Sequence, residues 1–238
     1  MRRAAARIAI VASACVLVLL AALHVLSPEF DPSWRVVSEY ANGHYGWVLS
    51  TMFATWAFSS WVLAFALWPV ARSAAGRVGL WFLVAAGLGE ALAAAFDINQ
   101  PLHGLAGLLG AGGLPVAAML ITVSWLHSRS SLGTGKTLLW LANLTWILVV
   151  ALVGSLILLF VTFTHAGGHV PADGGTLPIG TKLPPGAVAL VGYVNRLMVI
   201  VNCAWAMLAA SEISGGRSAT FSAPEGHRSL QQPTLNDL

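Results

Sequence analysis

Six apolar runs, each long enough to cross a bilayer, dominate this sequence of 238 residues. A hydrocarbon core about 30 Å thick needs about 20 mainly apolar residues in each crossing helix. Helices satisfy their own backbone hydrogen bonds, which hydrocarbon cannot do. The sequence therefore predicts an all-α integral membrane bundle of six transmembrane helices. The runs cover residues 7–26, 47–70, 79–97, 102–126, 138–163 and 187–210.

The composition excludes a soluble globular domain. Hydrophobic residues make up 57% of the chain and charged residues only 9%, whereas an ordinary soluble domain carries roughly 25% charged residues. No basic cluster with interleaved aromatic residues is present, so we expect the lipid bilayer as a partner and no nucleic acid. Cys15 and Cys203 both lie in apolar runs, where a free cysteine behaves as a small hydrophobic residue.

The distribution of Lys and Arg predicts the orientation. Of the 12 basic residues, nine lie in segments on one side of the predicted spans. Arg35 and Lys182 lie on the other side, and Arg196 lies inside the last run. Cytoplasmic loops carry an excess of Lys and Arg. We therefore expect both termini in the cytoplasm and a multi-pass protein in the cytoplasmic (inner) membrane of a bacterium.

The N-terminal run has a second reading, as a secretory signal. It is longer than the usual apolar core of about 7–15 residues, and its removal would place the basic loops on the wrong side of the membrane. We therefore expect residues 1–212 to form one six-helix transmembrane domain. Residues 213–238 mix Gly, Ser, Pro and Gln without periodicity and predict a disordered cytoplasmic tail.

Polar side chains in the outer half of the predicted bundle define a candidate ligand pocket. Ionisable groups inside membrane spans are costly and by default mark functional sites. Glu90 in the third run and Arg196 in the sixth have similar predicted depths, so we expect an ion pair that spares each charge from facing lipid. The alternative is that this pair only fixes helix packing. The candidate pocket residues are Glu90, Asp97, His103, Asn195, Arg196, Asn202, His24 and Tyr40.

Asp97 and His103 flank a short predicted turn between the third and fourth runs, where their side chains could meet. One interpretation is helix capping at the membrane surface. The other adds His24, His165 or His169 and makes an outward metal or acid–base site, since zinc accepts His and carboxylate ligands. We expect no cofactor, with zinc as the alternative.

The fourth run carries four regularly spaced glycines followed by a proline: Gly104, Gly107, Gly110, Gly113 and Pro115. Small residues on a membrane helix permit close contact with a neighbouring helix, and they can also leave room for a ligand. Close packing is the expected use.

Several short motifs distributed over residues 7–210 resemble a known family. They are Asp31-Pro32, Val37-Ser38-Glu39-Tyr40, Gly43-His44-Tyr45-Gly46-Trp47, Phe96-Asp97, His103-Gly104, Leu114-Pro115-Val116 and Gly192-Tyr193-Val194-Asn195-Arg196. In these motifs the chain resembles the bacterial membrane proteins classed as domain of unknown function 998. The resemblance implies a multi-helix membrane protein and supplies no reaction.

The leading functional hypothesis is a non-enzymatic membrane protein with an outward-facing polar pocket. Such a protein would bind a lipid or small molecule, or serve as a partner for another membrane protein. The alternative is a membrane-embedded hydrolase or lipid-modifying enzyme that uses the outer Asp and His residues. No residue is assigned a catalytic role. A transporter has less support, because the sequence shows no evident inverted repeat or paired broken helices.

Overall fold

The computed structural model describes residues 1–128, 134–169, 171 and 176–215. Six helices in it are long and apolar enough to cross a membrane. They are α1 (Arg2–Leu26), α2 (Gly46–Leu67), α3 (Ala74–Ala95), α4 (His103–His127), α5 (Gly135–His165) and α6 (Val191–Ser214). The described residues form no β-strand. The prediction of an all-α bundle with six spans is confirmed.

Most helix ends differ from the predicted runs by one to five residues. Helix α1 begins at Arg2, so the basic residues before the first apolar run belong to the helix. Helix α6 begins at Val191 instead of residue 187, after an irregular segment in which Gly186 has a φ of 96°. That backbone angle is incompatible with a right-handed helix. Helix α6 continues to Ser214, and the predicted tail over 216–238 lies outside the described residues.

The six helices form a closed ring in chain order. Each helix packs against the next, and α6 returns to pack against α1. Hydrogen bonds between side chains link neighbouring helices and also cross the ring. Ser13 of α1 bonds Ser59 of α2 over 2.8 Å, and the Trp205 indole of α6 donates to the Thr122 hydroxyl of α4 over 3.1 Å. Because lipid gives helices little reason to associate, such polar contacts and close packing hold a membrane bundle together.

The connection between α1 and α2 folds back into one end of the ring. We call residues 27–45 the cap, and we call this end, which also holds residues 96–102, 166–169 and 176–190, the cap end. The cap contains a short 3₁₀ helix, Val37–Asn42. Phe30 is 2% exposed and Tyr40 only 1%, so the cap belongs to the protein core. Part of the connection between the first two spans is therefore buried in the protein.

Helices α3 and α4 approach each other through a glycine of α3. A Cβ atom at Gly89 would clash with the backbone nitrogen of Gly110 and would lie 2.7 Å from the carbonyl oxygen of Ala106. Facing Gly89, α4 is π-helical over Leu108–Gly112, between α-helical parts His103–Gly107 and Gly113–Ser128. Single π turns occur frequently at functional sites.

The predicted close packing of the α4 glycines is correct for only two of the four. A Cβ at Gly110 or Gly113 would meet atoms of α3 at ordinary contact distances of 3.5–3.8 Å. A Cβ at Gly104 or Gly107 would meet nothing within 4 Å. The first turns of α4 therefore leave open space.

The different space around Gly89 and Gly104 predicts different effects of a glycine-to-alanine substitution on the free energy of unfolding. Gly89→Ala should lower the free energy of unfolding by about 1–3 kcal/mol, because the added methyl group overpacks the α3–α4 contact. Gly104→Ala should leave it unchanged or raise it by up to about 1 kcal/mol, because the methyl group is unobstructed and restricts the unfolded chain. Unfolding of both variants in the same detergent measures the difference. Equal stability of the two variants would contradict the close approach.

Candidate functional site

A cavity of about 250 Å³ lies inside the ring near the cap end. Its walls come from the cap and from every helix except α1. Most of the lining side chains are apolar, including Phe53, Trp56 and Met198. Three of the predicted pocket residues also line it: Glu90, His103 and Asn195.

Glu90 is the acidic residue of this cavity. It projects from α3, is 4% exposed, and accepts a hydrogen bond of 2.7 Å from the Ser60 hydroxyl through Oε2. Its other oxygen, Oε1, is buried without a hydrogen-bond partner among the described residues. No Lys or Arg of the described chain lines the cavity. A buried carboxyl group without a cationic partner is costly inside a membrane, so this one needs an explanation.

His103 and Asn195 each make a hydrogen bond to the backbone through one side-chain atom. The Nδ1 atom of His103 lies 3.0 Å from the carbonyl oxygen of Phe96. That oxygen only accepts, so Nδ1 carries the proton and Nε2 of the neutral ring is left as an acceptor. The Asn195 oxygen accepts from the backbone N–H of Val37 over 2.8 Å, which leaves the Asn195 amide N–H groups as donors.

Arg196 does not reach Glu90. Its guanidinium donates to His24 Nε2 over 2.6 Å, to the carbonyl oxygens of Arg35 over 2.6 Å and Gly192 over 2.9 Å, and to the Tyr40 hydroxyl over 3.0 Å. The predicted Glu90–Arg196 ion pair is therefore wrong. The prediction compared only the depths of residues on two helices. The cap folds back beside α6 and supplies hydrogen-bond acceptors that this comparison did not include.

The bond to Arg196 defines the tautomer of His24. A guanidinium only donates, so Nε2 of His24 accepts. The Nδ1 atom of His24 then donates to the Leu20 carbonyl oxygen, 2.7 Å away. The imidazole is therefore neutral in this arrangement. His24, Tyr40 and Arg196, three of the predicted pocket residues, form a cluster that attaches the cap to α1 and α6.

Arg35 and Glu39 are buried charged residues that the sequence analysis missed. They form an ion pair with an N–O distance of 2.5 Å, and Arg35 is 2% exposed. Arg35 also donates to the carbonyl oxygens of Leu177 and Pro178, which ties the cap to the connection between α5 and α6. The sequence signal was present, since Glu39 lies within the family-like motif 37–40, but Arg35 was counted only as an outer charge.

A model of the family described as protein of unknown function DUF998 matches residues 10–212, most of the chain. The chain belongs to the DUF998 family. The resemblance inferred from the motifs is thereby confirmed. No curated protein and no solved structure matches this chain. Membership in DUF998 agrees with an integral membrane protein and supplies no reaction.

Two other predicted pocket residues of this DUF998 chain lie apart from the cavity. Asp97 is exposed, and its carboxylate accepts from the backbone N–H of Asn99 over 2.9 Å. Within the described chain it makes no hydrogen bond or ion pair with His103, so the expected contact across the turn is absent. Asn202 is 1% exposed on α6, and its Oδ1 is buried without a hydrogen-bond partner among the described residues, but it does not line the cavity.

The residues proposed for a zinc site are spread over the cap end. His103 lines the cavity, His24 bonds Arg196, and His165 and His169 are exposed. In the part of the chain that the structure describes, no three His, Cys, Asp or Glu side chains are grouped closely enough to hold a metal ion. The zinc alternative stays a prediction that metal analysis of the purified protein tests.

The contacts of Arg196 predict that Lys cannot replace it. A lysine ammonium lacks the planar fork that reaches several acceptors at once. Because each hydrogen bond to a charged group contributes about 1.5–3 kcal/mol, Arg196→Lys should lower the free energy of unfolding by at least about 2 kcal/mol. Amide hydrogen exchange in the cap should become faster. The matched control is Arg77→Lys on an exposed position of α3, which should change neither quantity. If amide hydrogen exchange in the cap were unchanged in the Arg196→Lys variant, the cluster would not be what attaches the cap to the helices.

Proposed function

We propose that this protein is a non-enzymatic membrane protein that binds one lipid or small amphipathic molecule in the cavity lined by Glu90, His103 and Asn195. The observation that carries the proposal is the combination of an apolar wall with a buried carboxyl oxygen that has no hydrogen-bond partner among the described residues. Ligand sites are typically apolar cavities with a few polar groups that orient the ligand. The proposed site is more apolar than the polar pocket expected from the sequence.

Access from the bilayer supports a ligand that partitions into lipid. Gly107 lines the cavity and is itself exposed, which supports an opening of the cavity beside α4. A second, smaller cavity of about 140 Å³ shares Leu156 with the first and is lined by apolar side chains such as Phe160 and Phe163. Adjoining apolar space of this kind suits the chain of an amphipathic molecule.

The enzyme alternative has no specific support from the described contacts. A catalytic pair must lie within hydrogen-bond reach, and Asp97 and His103 are engaged separately with Asn99 and Phe96. The alternative role as a partner of another membrane protein stays a prediction as well.

Filling the cavity should remove the ligand. We expect native mass spectrometry of the purified protein to find one co-purified amphipathic molecule per chain. Gly107→Leu should reduce its occupancy at least fivefold, because the new side chain projects from a lining position where nothing obstructs it. Gly104→Leu is the matched control, since its site is equally open but does not line the cavity. Absence of a ligand from the wild type, or equal occupancy in both variants, would contradict the proposal.

We also propose that the cap faces away from the cytoplasm, as the distribution of basic residues predicts. In a chain without its native cysteines, Ala74→Cys should react with an impermeant thiol reagent only after the membrane is opened. Ile179→Cys should react in intact cells. Both positions are exposed, and they lie at opposite ends of the ring. The reverse pattern would overturn the orientation and leave the cavity proposal unaffected.

A further inference from the structure

Three polar side chains of the cavity each have atoms without a hydrogen-bond partner among the described residues, and these atoms indicate which ligand chemistry fits. Glu90 contributes Oε1, which is buried and unpartnered among the described residues. His103 contributes Nε2, because its Nδ1 donates to Phe96. Both of these atoms are acceptors when Glu90 is ionised. Asn195 contributes amide N–H donors, because its oxygen is occupied by Val37. With Glu90 ionised, the cavity therefore offers two acceptors, one of them negatively charged, beside the Asn195 donors.

The charged groups around the cavity also disfavour an anionic ligand. No cationic side chain of the described residues lines it, and the nearby Arg196 is engaged with the cap and with His24. An ionised Glu90 is thus without a protein cation to compensate it. A phosphate or carboxylate headgroup would meet a like charge and would find no Lys or Arg to bind it. Such anionic groups are poor ligands for this cavity.

Resting on the proposed function, we infer that the ligand is a primary amine with an apolar chain, bound as its ammonium ion beside Glu90. An ammonium group carries one positive charge and three N–H donors. It pairs with the Glu90 carboxylate and donates to Nε2 of His103, while its chain lies against Phe53, Trp56 and Met198. A neutral alcohol offers one donor and no charge, so it satisfies only one of the two acceptors.

Three probes of equal chain length test this inference: octylammonium, 1-octanol and octyltrimethylammonium. Their affinities are measured by equilibrium dialysis of the wild-type protein in neutral detergent micelles, corrected for uptake by protein-free micelles. Octylammonium should bind at least about tenfold more tightly than 1-octanol, as expected for a charge-assisted hydrogen bond. Octyltrimethylammonium, which has the charge without N–H donors, should also bind at least about tenfold more weakly. This comparison needs no variant that might fail to fold.

A substitution then assigns the preference to Glu90. Glu90→Gln should bring the affinities for octylammonium and 1-octanol within about twofold of each other by weakening octylammonium alone. The matched control, Glu29→Gln, removes an exposed carboxylate of the cap and should keep the wild-type preference. Equal binding of octylammonium and 1-octanol to the wild type, or an unchanged preference in a folded Glu90→Gln variant, would overturn the inference. So would equal binding of octylammonium and octyltrimethylammonium.

The same data separate this inference from the proposed function. If all probes bind without preference and Gly107→Leu weakens all of them, the cavity binds amphipathic molecules but does not select amines. If no probe binds the wild type and no ligand co-purifies with it, the proposed function fails and the inference fails with it.

Discussion

The side chain of Arg196 joins three parts of the chain that lie far apart in sequence. It projects from α6 and donates hydrogen bonds to His24 at the end of α1 and to the Arg35 carbonyl and Tyr40 hydroxyl of the cap. Inside a bilayer a cation is tolerated only where protein atoms replace water. Here four neutral hydrogen-bond acceptors, and no carboxylate of the described residues, surround the Arg196 guanidinium. The cap is attached to the ring through this cation, and the position of the cavity follows from the position of the cap.

Both the cap and the helices form the walls of the cavity. Val37 of the cap is held by the Asn195 amide, and both residues line the cavity. On the opposite wall, Gly89 brings the backbone of α3 against α4, and the adjacent Glu90 lines the same space. Rigid backbone contacts therefore surround a site whose carboxyl group is left without a full set of partners. That contrast with the satisfied Arg196 cluster distinguishes the proposed ligand site from the structural cluster.

The apolar runs were sufficient to predict the six spans, because the thickness of hydrocarbon and the need for internal backbone hydrogen bonds restrict a chain of this composition to long helices. The family resemblance was also readable in short motifs. The same sequence indicated that polar groups within the spans gather toward one end of the bundle. Glu90, His103 and Asn195 line one cavity there, and His24, Tyr40 and Arg196 form the neighbouring cluster.

The partner of each polar group was decided only by the tertiary structure. Similar predicted depths made an ion pair between Glu90 and Arg196 reasonable, yet Glu90 bonds Ser60 and Arg196 bonds the cap. Helical periodicity gives the rotation of a residue about its own axis but not the helix that it faces, nor the path of an irregular connection. Sequence alone therefore determined the membrane-spanning helices, which depend on local hydrophobicity and length. Pairing and cavity shape depend on contacts between distant segments, and these exist only once the ring has closed and the cap has folded into it.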